Sequence, residues 1–331
     1  MENKKNIILV SGIVILLILF VLIFHYTFFK NLPTAQLSFV SMNTIIEVKI
    51  YDQDQNKAFK GIKVVYNTFD ILDSLFNPYS SKSDLAKLKL YAGKKFVKVS
   101  PYTYEIVKIS KTFHDSISDL FNIALDPIIK IWKRYAKVGK MPCKCTIKRY
   151  KALCNMNNII LIDSTKEIFL KKKFMGLDFG AIAKGYALYI SKKKLDSLGI
   201  KYYIINAGGD IYLTSKNDKP FKIGIKDPFN KQKIFKILYL KNTAIATSGD
   251  YERFYLINGK KFSHIINPRS GYPQEEFNSS TVITPNPIMA DIWATVLSIK
   301  YSPELLKKLP DSTRVILINK KDTIYYSSSF N

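Results

Sequence analysis

A chain of 331 residues, 47% apolar and 23% charged, has the length and composition to bury the core of one large domain or two modest ones, which excludes wholesale disorder. Fourteen glycines without a period exclude a collagen-like chain, and no internal repeat points to a solenoid. Fifty-one basic residues against 26 acidic ones leave a net charge of +25, a balance that suits nucleic acid or anionic lipid. The lysines are scattered, however, and Lys, Asn, Ile, Tyr and Phe are abundant together, as codon usage in an AT-rich genome produces; no nucleic-acid partner is expected.

Lys4 and Lys5 precede an apolar run over 7–24. As a helix it would extend roughly 27 Å, about one bilayer core. No small-residue cleavage site follows it, and no cysteine precedes Cys143, which excludes lipid attachment behind the run. An uncleaved signal anchor is expected, with the N-terminus inside, His25, Tyr26, Phe28 and Phe29 at the outer interface, and Met1 and Lys30 both kept in the mature protein. The chain then divides into a short cytoplasmic tail with a single transmembrane anchor (1–31) and one outward-facing domain (32–331) on the extracytoplasmic side of the inner membrane.

Residues 37–51 alternate and predict a strand that opens the domain. The spacing of Ile62, Val65, Phe69, Leu72 and Phe76 predicts a helix over 60–76, stopped by Asn77-Pro78. A second helix is predicted over 102–120, with Ile106, Ile109, Phe113 and Ile117 inward and His114 as an ordinary, partly buried histidine. Residues 130–158 are basic and lack clear periodicity, so a loop-rich excursion is expected. Its cysteines, Cys143 and Cys145 with Cys154 beyond, resemble part of a thiolate metal site but lack a fourth ligand and a nearby histidine. One disulfide with one thiol left over fits an exported chain.

A strand at 159–163 and a Lys-rich turn at 171–173 lead to a helix over 182–198, closed by Gly199 where left-handed geometry is needed. Residues 202–206 form a compact apolar strand before the Ala207-Gly208-Gly209-Asp210 turn, and further strands carry the chain to Ser263. A last helix begins near Asn286-Pro287, where Asn caps and Pro suits the first turn, and runs through Ile299. Long helices among many strands point to α+β or α/β, and no linker splits the chain after the anchor.

Familiar phosphate cradles fail. The glycine-rich stretch 176–185 lacks the Gly-Lys-Ser/Thr ending of a P-loop, and Gly208-Gly209 does not fit the dinucleotide fingerprint. Ser248, Asp250 and His264 stand near one another in sequence, but Ser248 is not in a nucleophile elbow and triads are made by geometry. Three other constellations carry more. Asp178 precedes a tight glycine turn whose backbone groups would be free at a helix N-terminus, with Lys184 placed to neutralise phosphate. Asp291 and Thr295 lie four apart, so that both oxygens leave one helix face; with a backbone carbonyl they suit a hard cation such as Mg²⁺. His264 precedes a turn through Asn267-Pro268-Arg269.

In this order the stretches 175–185 with Ala187, 206–211, 224–228, 244–254, 264–273 and 290–295 resemble the ApbE family of FAD:protein FMN transferases. Met42-Asn43-Thr44 stands where that family has Met-Gly-Thr, residues 77–88 resemble its Tyr-containing loop, and 121–132 match a Phe-Asp-Pro…Pro…Trp segment in spacing. The resemblance implies an α+β (mixed α/β) catalytic domain of mixed sheets flanked by helices. It implies that Met42, Tyr79, Leu120, Phe121, Asn122, Asp178, Lys184 and Ile265 contact FAD, and that the Ala181 carbonyl, Asp291 and Thr295 hold Mg²⁺. His264 would be close to the reacting phosphate, with His264 and Lys184 as the catalytic pair. Asn122 replaces an expected aspartate, Asn267 stands where Asp is common, and Asn43 replaces glycine.

The implied reaction is Mg²⁺-dependent transfer of FMN from FAD to a Thr or Ser hydroxyl of an acceptor protein, such as an FMN-binding subunit of a membrane redox complex, with release of AMP. The rivals are an FAD pyrophosphatase in which water replaces the hydroxyl, a membrane-anchored flavin-binding protein without turnover, and a basic surface-binding module. Their products would separate them.

Overall fold

A computed structural model describes residues 32–215, 219–230, 232–249, 254–321 and 324–326. The expected anchor at 7–24 and Asp250 lie outside the described residues. None of the described helices is long and apolar enough to cross a membrane.

Strands β1 (Ala35–Ser41) and β2 (Thr44–Ile50) pair antiparallel as a hairpin. One strand was expected here. The chain instead reverses at Met42 and Asn43, both at positive φ (51° and 58°), the pairing that a two-residue turn needs to match strand twist. Helix α1 (Gln55–Phe76) starts a turn earlier than its periodicity implies, because Asp54 accepts the Lys57 N–H as a cap, and it ends at Asn77 as expected. Helix α2 (Asp84–Leu90), the short strand β3 (Val97–Lys98) and helix α3 (Pro101–Ser116) follow; α3 ends short of Leu120, where it was expected to run, and Leu120 lies in a loop with Phe121 and Asn122.

The stretch expected to be loop-rich holds two helices, α4 (Asp126–Lys137) and α5 (Lys144–Lys151), and a 3₁₀ turn at Met156–Asn158. Helix α4 turns Ile128, Ile131 and Trp132 inward between lysines, whereas α5 buries only Ile147 and carries little period. Cys143 and Cys145 form a disulfide at the start of α5, and Cys154 is a buried free thiol.

Strands β4 (Ile159–Ile162) and β5 (Glu167–Leu170) join β3 in a small sheet, and α6 (Ala183–Ser197) ends before Gly199 at φ 67°. Then come β6 (Tyr203–Ala207), β7 (Asp210–Thr214), β8 (Phe221–Lys226), β9 (Ile234–Leu240), β10 (Thr243–Gly249), β11 (Phe254–Ile257), β12 (Lys260–Ser263) and β13 (Phe277–Thr284). Helix α7 (Pro287–Ile299) is not the last: a short α8 (Pro303–Leu306) and strands β14 (Arg314–Asn319) and β15 (Ile324–Tyr326) follow.

An eight-stranded sheet in the order β1-β2-β6-β7-β10-β13-β14-β15 organises the domain, and its described pairings are all antiparallel. This makes the fold α+β. Alternation along each strand sends residues to two different cores. On one face α1, α6 and α7 pack over Val48, Ile205, Ala244 and Val282. On the other the β8–β9 hairpin lays Ile223, Ile225, Leu238 and Leu240 against Leu213, Ile245, Ile283 and Ile316.

Candidate active site

Helices α6 and α7 cross at Gly185. A Cβ added there would come within 2.5 Å of the Pro287 carbonyl oxygen and 2.7 Å of the Asp291 Cβ, so only glycine permits this approach. The first helical bond of α6 runs from Tyr186 N–H to Ile182. The Gly185 N–H, which in a longer helix would turn back to Ala181, is given to Asp291 Oδ2 at 2.8 Å. The Ala181 carbonyl is thereby left outside the helical ladder, one residue before the turn.

Around that crossing the sheet contributes Asp210, at the start of β7. Its Oδ2 lies 2.6 Å from Lys184 Nζ, and its Oδ1 accepts the Thr247 N–H at 3.1 Å. Thr295, one turn beyond Asp291, shares a hydrogen bond of 3.2 Å with the Ser248 hydroxyl on β10. Lys184, Asp291 and Thr295 are therefore brought together as a group that also includes Asp210 and Ser248. Burial, and then the Asp210 carboxylate, push the Asp291 carboxyl up to about 7, against the opposing pull of Lys184 and the Gly185 N–H. Two buried carboxylates face one ammonium, and a further cation would offset the repulsion between them in place of a proton. Among the described residues no three His, Cys, Asp or Glu side chains gather as a metal cluster, so an ion here would draw on hydroxyl and carbonyl oxygens as well.

A second group gathers Tyr79 and Asp178. Tyr79 is 75% exposed in the turn after α1, where Asn77 Oδ1 accepts its N–H, and Lys133 Nζ on α4 donates to its hydroxyl at 3.4 Å. Asp178 is half-buried; its N–H bonds the Ile123 carbonyl at 2.8 Å and its Oδ1 accepts the Gly180 N–H at 2.9 Å. Burial raises its carboxyl above the ordinary range, while the Gly180 N–H, Lys133 and Lys130 work the other way. Four of the amides expected to be free after Asp178 have partners in the fold. Gly180 bonds Asp178 in an exposed turn, Ile182 and Ala183 both bond the Phe179 carbonyl, and the buried Gly185 N–H, which requires a partner, bonds Asp291.

The 120–122 loop is packed into the domain. Leu120 and Phe121 are buried, with the Phe121 ring edge-on to Phe113 at 5.3 Å and its carbonyl bonded to His114 Nδ1 at 2.7 Å. Their side chains are core, so contact with a ligand would fall to the backbone. Asn122 uses both ends of its amide: Oδ1 accepts the Ala124 N–H at 2.7 Å and Nδ2 donates to the Cys154 carbonyl at 2.8 Å. An aspartate could keep the first bond but would set a carboxylate against that carbonyl, which accounts for the asparagine.

His264 is half-buried in the bend after β12, beside the nearly buried Ile265. Its loop is fastened by an Ile266–Pro273 bridge, by Trp132 Nε1 donating to the Gly271 carbonyl at 2.9 Å, and by Arg269 pairing in two places with Asp119. A cleft of about 590 Å³ opens on the far part of that loop, lined by Trp132, Met141, Asn267, Tyr272 and Gln274 among others and not by His264. Met42, half-buried at the β1–β2 turn, packs on the main core. Lys133 was missed in the sequence, Asp210 stood there only as the end of a turn, and Ser248 only beside Asp250 and His264 as a weak hydrolase set. The signal for Asp210 was a carboxylate directly after two glycines at the mouth of an apolar strand, a costly place for an unpaired charge.

A family model for the ApbE family matches residues 42–317. A protein of Klebsiella pneumoniae named FAD:protein FMN transferase is 29% identical over 295 residues, which cover 88% of this chain and 91% of that protein. One of the same name from Buchnera aphidicola is 26% identical over 96% of this chain and 94% of its own. Among solved structures, the ApbE protein of Thermotoga maritima superposes with a TM-score of 0.82 at 23% identity, over 89% of this chain and 97% of that one. The flavin transferase ApbE of Vibrio cholerae gives 0.76 at 22% identity with the same coverage. These two likenesses speak for the fold.

Proposed function

Because the chain belongs to the ApbE family, we propose that it transfers FMN from FAD to a Thr or Ser hydroxyl of an acceptor protein and releases AMP. The relatives that share most of its length carry the name of that activity. The observation that carries the reading in this chain is the crossing of α6 and α7, where the buried Asp291 and Asp210 meet the partly open Lys184 beside Thr295 and Ser248. The oxygen donors fit a hard divalent ion: the Asp291 carboxylate, the Thr295 hydroxyl and the Ala181 carbonyl would hold Mg²⁺. Bound there, Mg²⁺ would neutralise pyrophosphate charge and polarise the bond that breaks.

The chain's own residues divide the remaining work. Lys184, whose side chain keeps 28% of its surface open, offers an ammonium to the phosphates, while Asp210 fixes its position. Tyr79, Asp178, Met42, Asn122 and Ile265 would orient the flavin nucleotide, with the 120–121 backbone beside them. His264 would take the proton from the acceptor hydroxyl as its oxygen bonds the FMN phosphorus and the bond to the AMP oxygen breaks. The acceptor, such as an FMN-binding subunit of a membrane redox complex, would meet the enzyme outside the inner membrane, to which the 7–24 run would anchor it.

The test is to incubate the full chain with FAD, Mg²⁺ and candidate acceptors, and to read the acceptor band by in-gel flavin fluorescence. A fluorescent acceptor is expected; free FMN with AMP would assign the pyrophosphatase, and unchanged FAD a binding protein. His264→Ala should bind FAD and melt as the parent does, yet transfer roughly 10²–10⁴ more slowly, the usual contribution of a positioned base. Unimpaired transfer would remove His264 from the mechanism.

A further inference from the structure

The β8–β9 hairpin has two unlike faces. Its inner residues complete a core on the sheet, as described above. On its outer face Lys222 stands opposite Tyr239 and Gly224 opposite Ile237, with Lys226 opposite Ile234 at a bulge. Ile234, Ile237 and Tyr239 are 54%, 46% and 66% exposed, and Phe229 in the connecting turn is 51% exposed. Between Lys219 and Lys241 the sequence carries seven lysines against the single acidic Asp227. Asp227 is occupied locally, accepting the Phe229 and Asn230 N–H groups. Apolar and aromatic side chains interleaved with lysines and almost free of acid form the pattern of a surface that lies at a lipid headgroup boundary.

The position of this hairpin identifies what it faces. Thr34 is fixed to the end of β2, its N–H on the Ile50 carbonyl at 2.8 Å and its hydroxyl on the Asp52 carbonyl at 2.6 Å. At that same end Tyr51 stacks on Tyr202 at 4.4 Å, and the Phe221 ring that opens β8 lies 6.0 Å from Tyr51 and 5.4 Å from Tyr202. Between Lys30, which closes the apolar and aromatic N-terminal stretch, and Thr34 there are four steps of chain. They reach at most about 14 Å. With 7–24 as the anchor and the aromatic residues 26–29 at its outer interface, this end of the sheet, and the base of the hairpin with it, is held close to the bilayer.

We infer that the outer face of the β8–β9 hairpin is a second membrane contact, seated on the anionic headgroups of the bilayer that holds the N-terminal anchor. This rests on the anchor reading. The lysines meet the negative surface potential, which acts only within a Debye length, and Tyr239, Ile237 and Ile234 enter the headgroup layer. The helical face, which carries Asp291 and Lys184, lies across the sheet from this contact.

The test uses the full chain in vesicles of phosphatidylcholine with or without phosphatidylglycerol, with brominated acyl chains. The two native tryptophans, Trp132 and Trp293, are buried, so Tyr239→Trp adds an indole that reports its own surroundings. Tyr66→Trp on α1, exposed on the helical face, is the control. The expected result is that vesicles float with the protein, and that the Tyr239→Trp emission shifts to the blue and is quenched by brominated anionic lipid while the Tyr66→Trp emission is not. Adding Lys222→Glu, Lys226→Glu and Lys233→Glu should abolish that quenching without preventing flotation. Flotation without quenching, or equal quenching at both sites, would overturn the hairpin contact and leave the anchor standing. A chain that does not float would overturn both.

Discussion

Asp291 is the residue on which most of the site chemistry converges. It receives the Gly185 N–H, stands beside Asp210, and offers the one carboxylate placed with the Thr295 hydroxyl on the same helix face. Asp291→Asn keeps the shape but removes the charge, so Mg²⁺ binding by calorimetry should fade and transfer should fall by about 10²–10³, the scale of losing a preorganised charge stabiliser. Thr295→Val removes a neutral oxygen and should do less harm; near-normal Mg²⁺-dependent turnover in Asp291→Asn would sink the assignment. The pairing of 291 with 295 was legible in the sequence because four-residue spacing on a helix is a geometric statement. Asp210 was not, since its partner Lys184 lies on an earlier helix and only the fold brings that helix over the 207–210 turn. Asn122 was legible as a departure but not as a reason, which lies in the Cys154 carbonyl.

At the scale of elements, the α6–α7 crossing is the narrowest tolerance in the domain. Gly185→Ala would drive a methyl group into the Pro287 carbonyl and the Asp291 Cβ, and the two helices must separate to admit it. Stability should drop by about 1–3 kcal/mol, the usual cost of overpacking. The loss of Mg²⁺ affinity should be larger than that fall explains, because the methyl displaces Asp291 itself. Denaturant midpoints and calorimetry on one preparation separate the two effects; loss of stability alone, with metal affinity kept, would show that the crossing sets no site geometry. Helices α1, α3, α6 and α7 were readable because each carries a broad apolar stripe. Helices α4 and α5 were not: α5 buries only Ile147, and α4 sets Ile128, Ile131 and Trp132 in a run of twelve residues crowded with Lys and Arg. The β1–β2 reversal was hidden by Met42, a residue rarely found at positive φ, where Asn43 alone is a weak turn signal.

For the whole molecule, the partition of one antiparallel sheet into a helical face and a hairpin face decides where things can happen. If the 7–24 run is an anchor, N-terminal sequencing of the mature protein should begin at Met1 and the chain should stay with the membrane fraction; a sequence beginning beyond Phe24 would overturn it. The sheet also has a consequence for handling. Strand β1 closes one edge and, among the described residues, pairs only with β2; its seven residues, AQLSFVS, include no charge and no proline. Charges and prolines are the means by which edge strands usually avoid recruiting another chain. Tethering by 1–31 would limit such encounters to molecules lying in one plane with a common orientation, whereas removing those residues would let β1 edges meet freely in solution. A truncated preparation beginning at residue 32 should therefore self-associate as its concentration rises, seen in sedimentation, and Ser38→Lys, placed opposite Glu47, should return it to monomers. If Ser38→Lys sediments like its parent, association proceeds through another surface. The segment that reads as an address in the sequence would then also serve as the guard of an otherwise undefended edge.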